Sequence, residues 1–131
     1  MKKNTILSVS FLVSLLPMLL NQYGGMKGVQ EITGLVNLIN PIGLISVVTF
    51  FAGVFMRFEE RNVNKIMCTA GTVGIVLSEV YKFFTWHVMN ITGKVSLQNS
   101  IRFAFPEFYF GLAVSVMMII VYFVIERNVR E

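Results

Sequence analysis

The sequence predicts an all-α membrane protein, a four-transmembrane-helix antiparallel bundle with cytoplasmic N- and C-termini. Three observations carry that expectation. Four apolar runs, each near the roughly 20 residues that a spanning helix needs, alternate with short polar segments. The chain is 55% hydrophobic with only 14% charged residues and a mean hydropathy of +0.70, too little charge to clothe a soluble domain this rich in Phe, Leu, Ile, Val and Met. Finally, Lys and Arg fall unevenly on the connecting segments, which sets orientation. A single integral membrane domain over residues 1–131 follows.

The first helix is expected over about 5–21, after Lys2 and Lys3. The run suits a secretory signal or a retained helix. No A-x-A-like site follows it, so retention is the expectation. Ser10, Ser14, Pro17 and Asn21 recur at i, i+4, i+7 and i+11, one stripe suited to close packing. Residues 21–33 hold three glycines and two opposite charges, Lys27 and Glu31, and read as an external loop.

The second helix is expected over 34–56. Asn37, Asn40 and Pro41 lie in its first third, so it starts irregularly there or afresh at Pro41. Ser46, Thr49 and Gly53 lie on another side. The dense charge run 57–65 reads as a solvated turn between antiparallel helices.

The third helix, over 66–87, carries Glu79 and Lys82 inside an apolar run. At 100° per residue, Val73, Val76, Leu77, Val80 and Phe84 share an arc assigned to lipid. The opposite arc holds Ala70, Gly74 and Ser78, a small-xxx-small row, with Gly71, Ile75, Glu79 and Lys82 beside it. His87 falls at the boundary next to Trp86 and reads as an interfacial residue. A short amphipathic helix at the interface is a further expectation over 96–105. The fourth helix, over 106–125, opens at Pro106 and Glu107, and Glu107, Gly111, Ser115, Met118 and Tyr122 form its inward stripe.

Orientation follows from the cations. Lys2, Lys3, Arg57, Arg61, Lys65, Arg127 and Arg130 fall on the side of the termini; Lys27, Lys94 and Arg102 fall on the other. The excess belongs inside.

Composition also excludes chemistry. Asp is absent, which removes an aspartyl dyad. A single cysteine, Cys68, excludes an intrachain disulfide or a CxxC pair, and a single histidine excludes a His/Cys metal cluster and bis-His haem. No metal or cofactor is expected. The net charge of +4 is scattered between apolar runs without interleaved aromatics, so nucleic acid is not an expected partner.

The candidate site is a polar group set at the outer ends of the helices: Glu79, Lys82, Glu107, Asn37 and Asn40. Expected packing positions are Ser10, Ser14, Gly53, Ala70, Gly74, Ser78, Gly111 and Ser115. Two readings compete. In one, Glu79 and Lys82 pair with each other and with the asparagines and fix helix register. In the other they line a cavity open to an ion or small polar molecule. The first gives a non-enzymatic binding or accessory subunit, immunity-like in occupying a membrane partner, surrounded by lipid and joined to a larger membrane protein or to copies of itself. The second gives a small oligomeric transporter or channel. In size and helix count the plan resembles small multidrug transporters, small fluoride channels and bacteriocin-immunity proteins, a likeness of architecture that carries no residues. A membrane enzyme has the least support, since no nucleophile, base and orienting group recur at a recognisable spacing.

Overall fold

The computed structural model describes residues 2–24, 32–56, 58–86 and 97–128, and over these the chain is all-α apart from one small hairpin. Helix α1 runs Lys2–Leu15. It stops short of the expected 21 because Pro17 has no N–H to donate and its ring crowds the carbonyl four residues back. The chain tightens instead into a 3₁₀ turn, Leu16–Leu19, closed by the Leu20 N–H on the Pro17 carbonyl at 3.1 Å.

Strand β1, Asn21–Tyr23, then pairs antiparallel with β2, Ile32–Thr33, where the sequence predicts only loop. Gly24, at φ 150°, leaves β1 through backbone that side-chain-bearing residues rarely adopt. A second 3₁₀ turn, Gly34–Asn37, leads to helix α2, Pro41–Phe55. Of the two possible starts for this helix, the chain takes Pro41. Asn40 caps it by accepting from the Gly43 N–H at 3.0 Å, with proline in the first turn where a missing donor does no harm.

Helix α3, Arg61–Thr85, begins inside the charged turn, because polar residues beyond an apolar run are no obstacle to continuing the helix into water. Helix α4, Leu97–Phe103, lies within the expected interfacial segment, whose residue 96 is outside the described residues. Ala104 then bridges to Tyr23, and the Phe105 N–H donates to the Gln22 carbonyl at 2.8 Å, so the hairpin is tied to the start of helix α5, Pro106–Asn128.

Two helical stretches, Asn62–Thr85 and Pro106–Asn128, are long and apolar enough to cross a membrane. Lys3–Leu19 and Pro41–Phe55 are apolar but shorter. At 1.5 Å per residue, α2 spans about 22 Å against a hydrocarbon core of about 30 Å. The shortfall in both traces to proline.

Contacts show antiparallel neighbours. Gly53 of α2 meets Cys68 of α3, Phe50 meets Gly71 and Ser46 meets Gly74. A Cβ on Gly71 would lie 2.6 Å from that of Phe50, and one on Gly53 would lie 2.9 Å from the Cys68 nitrogen, so both glycines are needed for the approach. Lys3 of α1 pairs with Glu126 of α5 at 2.7 Å, which places the beginning of the first helix and the end of the last at one end of the molecule. Between the helices, Phe11 stacks on Phe50 at 4.0 Å within a core that includes Leu7, Ile75, Met118 and Tyr122. A second cluster, Tyr23, Phe83 and Phe108, fills the hairpin end. Large apolar side chains also cover the outside, among them Leu12, Ile45, Val48, Leu77, Ile120 and Phe123.

A buried polar cluster at the hairpin end

Asn37 organises this end. Its position in the 3₁₀ turn before α2 buries it completely, and each side-chain atom has a partner. Its Oδ1 accepts from the Tyr23 hydroxyl at 2.6 Å, and its Nδ2 donates to Gln22 Oε1 at 2.7 Å. Gln22 in turn donates to the Pro17 carbonyl at 2.9 Å. The carbonyl of Asn37 accepts from the Ser78 hydroxyl on α3 and from Asn40 Nδ2, the latter at 2.8 Å. Asn40 Nδ2 also lies 2.7 Å from Ser78 Oγ. The two 3₁₀ turns, β1, the α2 cap and α3 therefore share one hydrogen-bonded set. Gly34 and Gly111 leave room for Gln22; a Cβ on Gly111 would lie 2.9 Å from its Nε2.

Glu79, one residue beyond Ser78, turns to α5, where the Ser115 hydroxyl donates to it. Both are buried, Glu79 at 2% exposure. Beyond them Tyr23 stacks on Trp86 at 5.2 Å and lies 5.4 Å from Phe108. Burial raises the Tyr23 pKa well above its ordinary value of 10.0. Tyr23 thus stays a neutral donor.

The structure brings Asn37, Asn40 and Glu79 together with Ser78 and Ser115, and it separates Lys82 and Glu107 from them. Lys82 does not reach Glu79; among the described residues they form no ion pair. Its half-buried chain places the ammonium 5.6 Å from the Tyr81 ring centre instead. A spacing of three residues permits a pair but does not compel one, and the long lysine stem can carry its charge outward. Glu107 is exposed at the rim beside Leu20, Asn21 and Pro106. Phe108 takes the inward position, so the buried stripe of α5 is Phe108, Gly111, Ser115, Met118, Tyr122 and Ile125.

Packing positions divide in the same way. Gly53, Gly74, Ser78, Gly111 and Ser115 stand at helix contacts. Ser14 is buried and donates to the Phe11 carbonyl of its own helix at 2.6 Å, while Ser10 is half-buried beside it. Ala70 is exposed, a correction to the expected row, and Cys68, Thr72 and Phe83 are buried in its stead. Gly71, Ile75, Ser78 and Glu79 of the expected protein side are buried, and the buried face of α3 is turned toward Thr72 and Phe83 by less than one residue. On the assigned lipid arc Val73, Leu77 and Val80 are exposed; Val76 and Phe84 are half-buried. Asn21 is exposed in β1. His87, Lys27 and Lys94 lie outside the described residues.

Gln22 and Tyr23 were not expected at the site, since NQYGG reads as loop. The signal for them is faint: two residues able to bury and bond, directly before paired glycines. Among the described residues no three His, Cys, Asp or Glu converge as metal ligands. No protein-family model, curated protein or solved structure matches the chain.

Proposed function

We propose that this is a non-enzymatic integral membrane protein that crosses the bilayer four times with both termini cytoplasmic. In this reading it acts as a binding or accessory subunit, immunity-like in occupying a membrane partner, through the outer faces of its helices. One observation carries the choice: the polar cluster turns inward on itself. Asn37, Asn40, Gln22, Tyr23 and Ser78 bond to one another and to local backbone, and Glu79 bonds to Ser115. Such a set fixes helix register, as buried polar groups do in the best-attested cases.

The two shorter helices suit the same reading. Non-helical backbone at membrane depth is tolerated where protein satisfies its polar groups, and the 3₁₀ turns flanking the cluster are satisfied in that way. The apolar exterior then faces lipid, with a larger membrane protein or further copies of the chain covering part of it.

Transport by an oligomer is the second reading, favoured by one fact. Glu79 is a buried acid whose described partner is a hydroxyl rather than a cation, and an acid inside a membrane is a functional-site hypothesis by default. Glu79→Gln separates the two. The accessory reading expects altered stability with partner binding retained; loss of ion or solute flux in liposomes, with expression and folding intact, would overturn it.

A further inference from the structure

We propose that the opposite end of the bundle holds a binding pocket for a small oxyanion, a phosphate or carboxylate group, taken up by Lys65 and Asn4 beside the Lys3–Glu126 pair. The cavity there has a volume of about 200 Å³. Four helices build it: α1 supplies Lys3 and Asn4, α3 Lys65 and Cys68, and α5 Tyr122 and Glu126, with α2 closing one side. It therefore lies between helices, at the end marked by the Lys3–Glu126 pair.

The lining is graded. Cys68 and Tyr122, both buried, form the floor, and the charged and amide groups stand around them. Asn64 is committed to the wall, since its amide donates to the carbonyls of Gly53 and Met56, each at 2.8 Å. Glu126 is neutralised by Lys3 at 2.7 Å. That leaves the Lys65 ammonium and the Asn4 amide, for which no partner occurs among the described residues.

The set carries two cations and one anion, a surplus of one positive charge facing a concave space. An anion there accepts a charge-assisted hydrogen bond from the Lys65 ammonium, the stronger class, and the Asn4 amide N–H beside it adds a second donor. Size narrows the ligand. At about 30 Å³ per water the cavity equals a handful of waters, room for a phosphate or a short carboxylic acid but below the roughly 300 Å³ at which drug-sized sites begin. This site shares no residue with the Glu79 cluster, so it stands or falls separately from the accessory reading.

The test is the melting temperature of the full chain in neutral-lipid nanodiscs, titrated with inorganic phosphate against chloride at matched ionic strength. A saturable rise is expected. Lys65→Gln should raise the half-saturating concentration about tenfold, equivalent to one charge-assisted bond. Lys65→Arg should restore it, and Asn4→Ala should weaken it independently. A second series with anionic phospholipid in the disc identifies the source: competition with free phosphate assigns the group to a lipid headgroup, and its lack assigns it to a solute. No saturable rise from either source, or equal half-saturation in wild type and Lys65→Gln, would overturn the proposal.

Discussion

Ser115 on α5 donates its hydroxyl to the buried carboxylate of Glu79 on α3, a polar link between two helices that also meet through the stacked pair Phe83–Phe108. Removing the donor leaves a buried acid without its described partner. Ser115→Ala should lower stability by about 1–2 kcal/mol, the range for interhelical and charge-bearing hydrogen bonds. Glu79→Gln keeps an oxygen to accept the bond and should cost less than Glu79→Ala. Reversible unfolding in mixed micelles reads all three.

Asn37 and Asn40 hold the irregular segment before α2. Asn40→Ala loses a helix cap, worth about 0.5–2 kcal/mol, together with the contact to Ser78. Tyr23→Phe leaves Asn37 Oδ1 without its donor at an estimated 1–3 kcal/mol. Because both act on one bonded set, the double variant should fall short of the sum by more than about 0.5 kcal/mol, which a double-mutant cycle measures.

The α2–α3 contact gives a paired test of the corrected α3 face. Gly71→Val places a branched side chain against Phe50 and should lose about 1–3 kcal/mol or prevent folding. Ala70→Val, one residue away on the exposed face, should change stability by less than about 0.5 kcal/mol. Expression and melting temperature distinguish them, and equal losses at the two positions would return Ala70 to the contact face.

Tyr23 makes stability depend on alkaline pH. Its folded-state pKa lies above the unfolded value, chiefly through burial, so the folded state holds the proton more tightly. That contribution is fully present below pH 10 and is lost as pH rises through the folded-state value. Melting temperature should therefore decline above about pH 10 in wild type, and the decline should be shallower in Tyr23→Phe.

The helices were legible because apolar runs and proline positions speak locally. A start of α2 at Pro41 is one of two readings open in the sequence, and Gly74, Ser78, Gly111 and Ser115 read as contact positions because small residues alone permit close approach. Helix phase was harder. Helix α5 is apolar nearly all round, on its exposed as on its buried side, so its sequence pattern does not fix its inward face and does not place Phe108 rather than Glu107 there. The hairpin itself pairs near neighbours in the chain, but it is tied to the start of α5 by Tyr23 bridging Ala104, residues far apart in the chain, and no local spacing encodes that tie. The same limit hid Gln22 and Tyr23, whose burial exists only once α3, α5 and the first turn have met.

The most direct measurement is native mass spectrometry of the tagged protein gently extracted from its own host membrane, as wild type and as Glu79→Gln. The account predicts a larger membrane protein in fixed ratio with both forms, because Glu79 sits inside and the outer helix faces make the contact. A homo-oligomer carrying an ion or small solute that disappears in Glu79→Gln would contradict it and make the polar cluster a transport path.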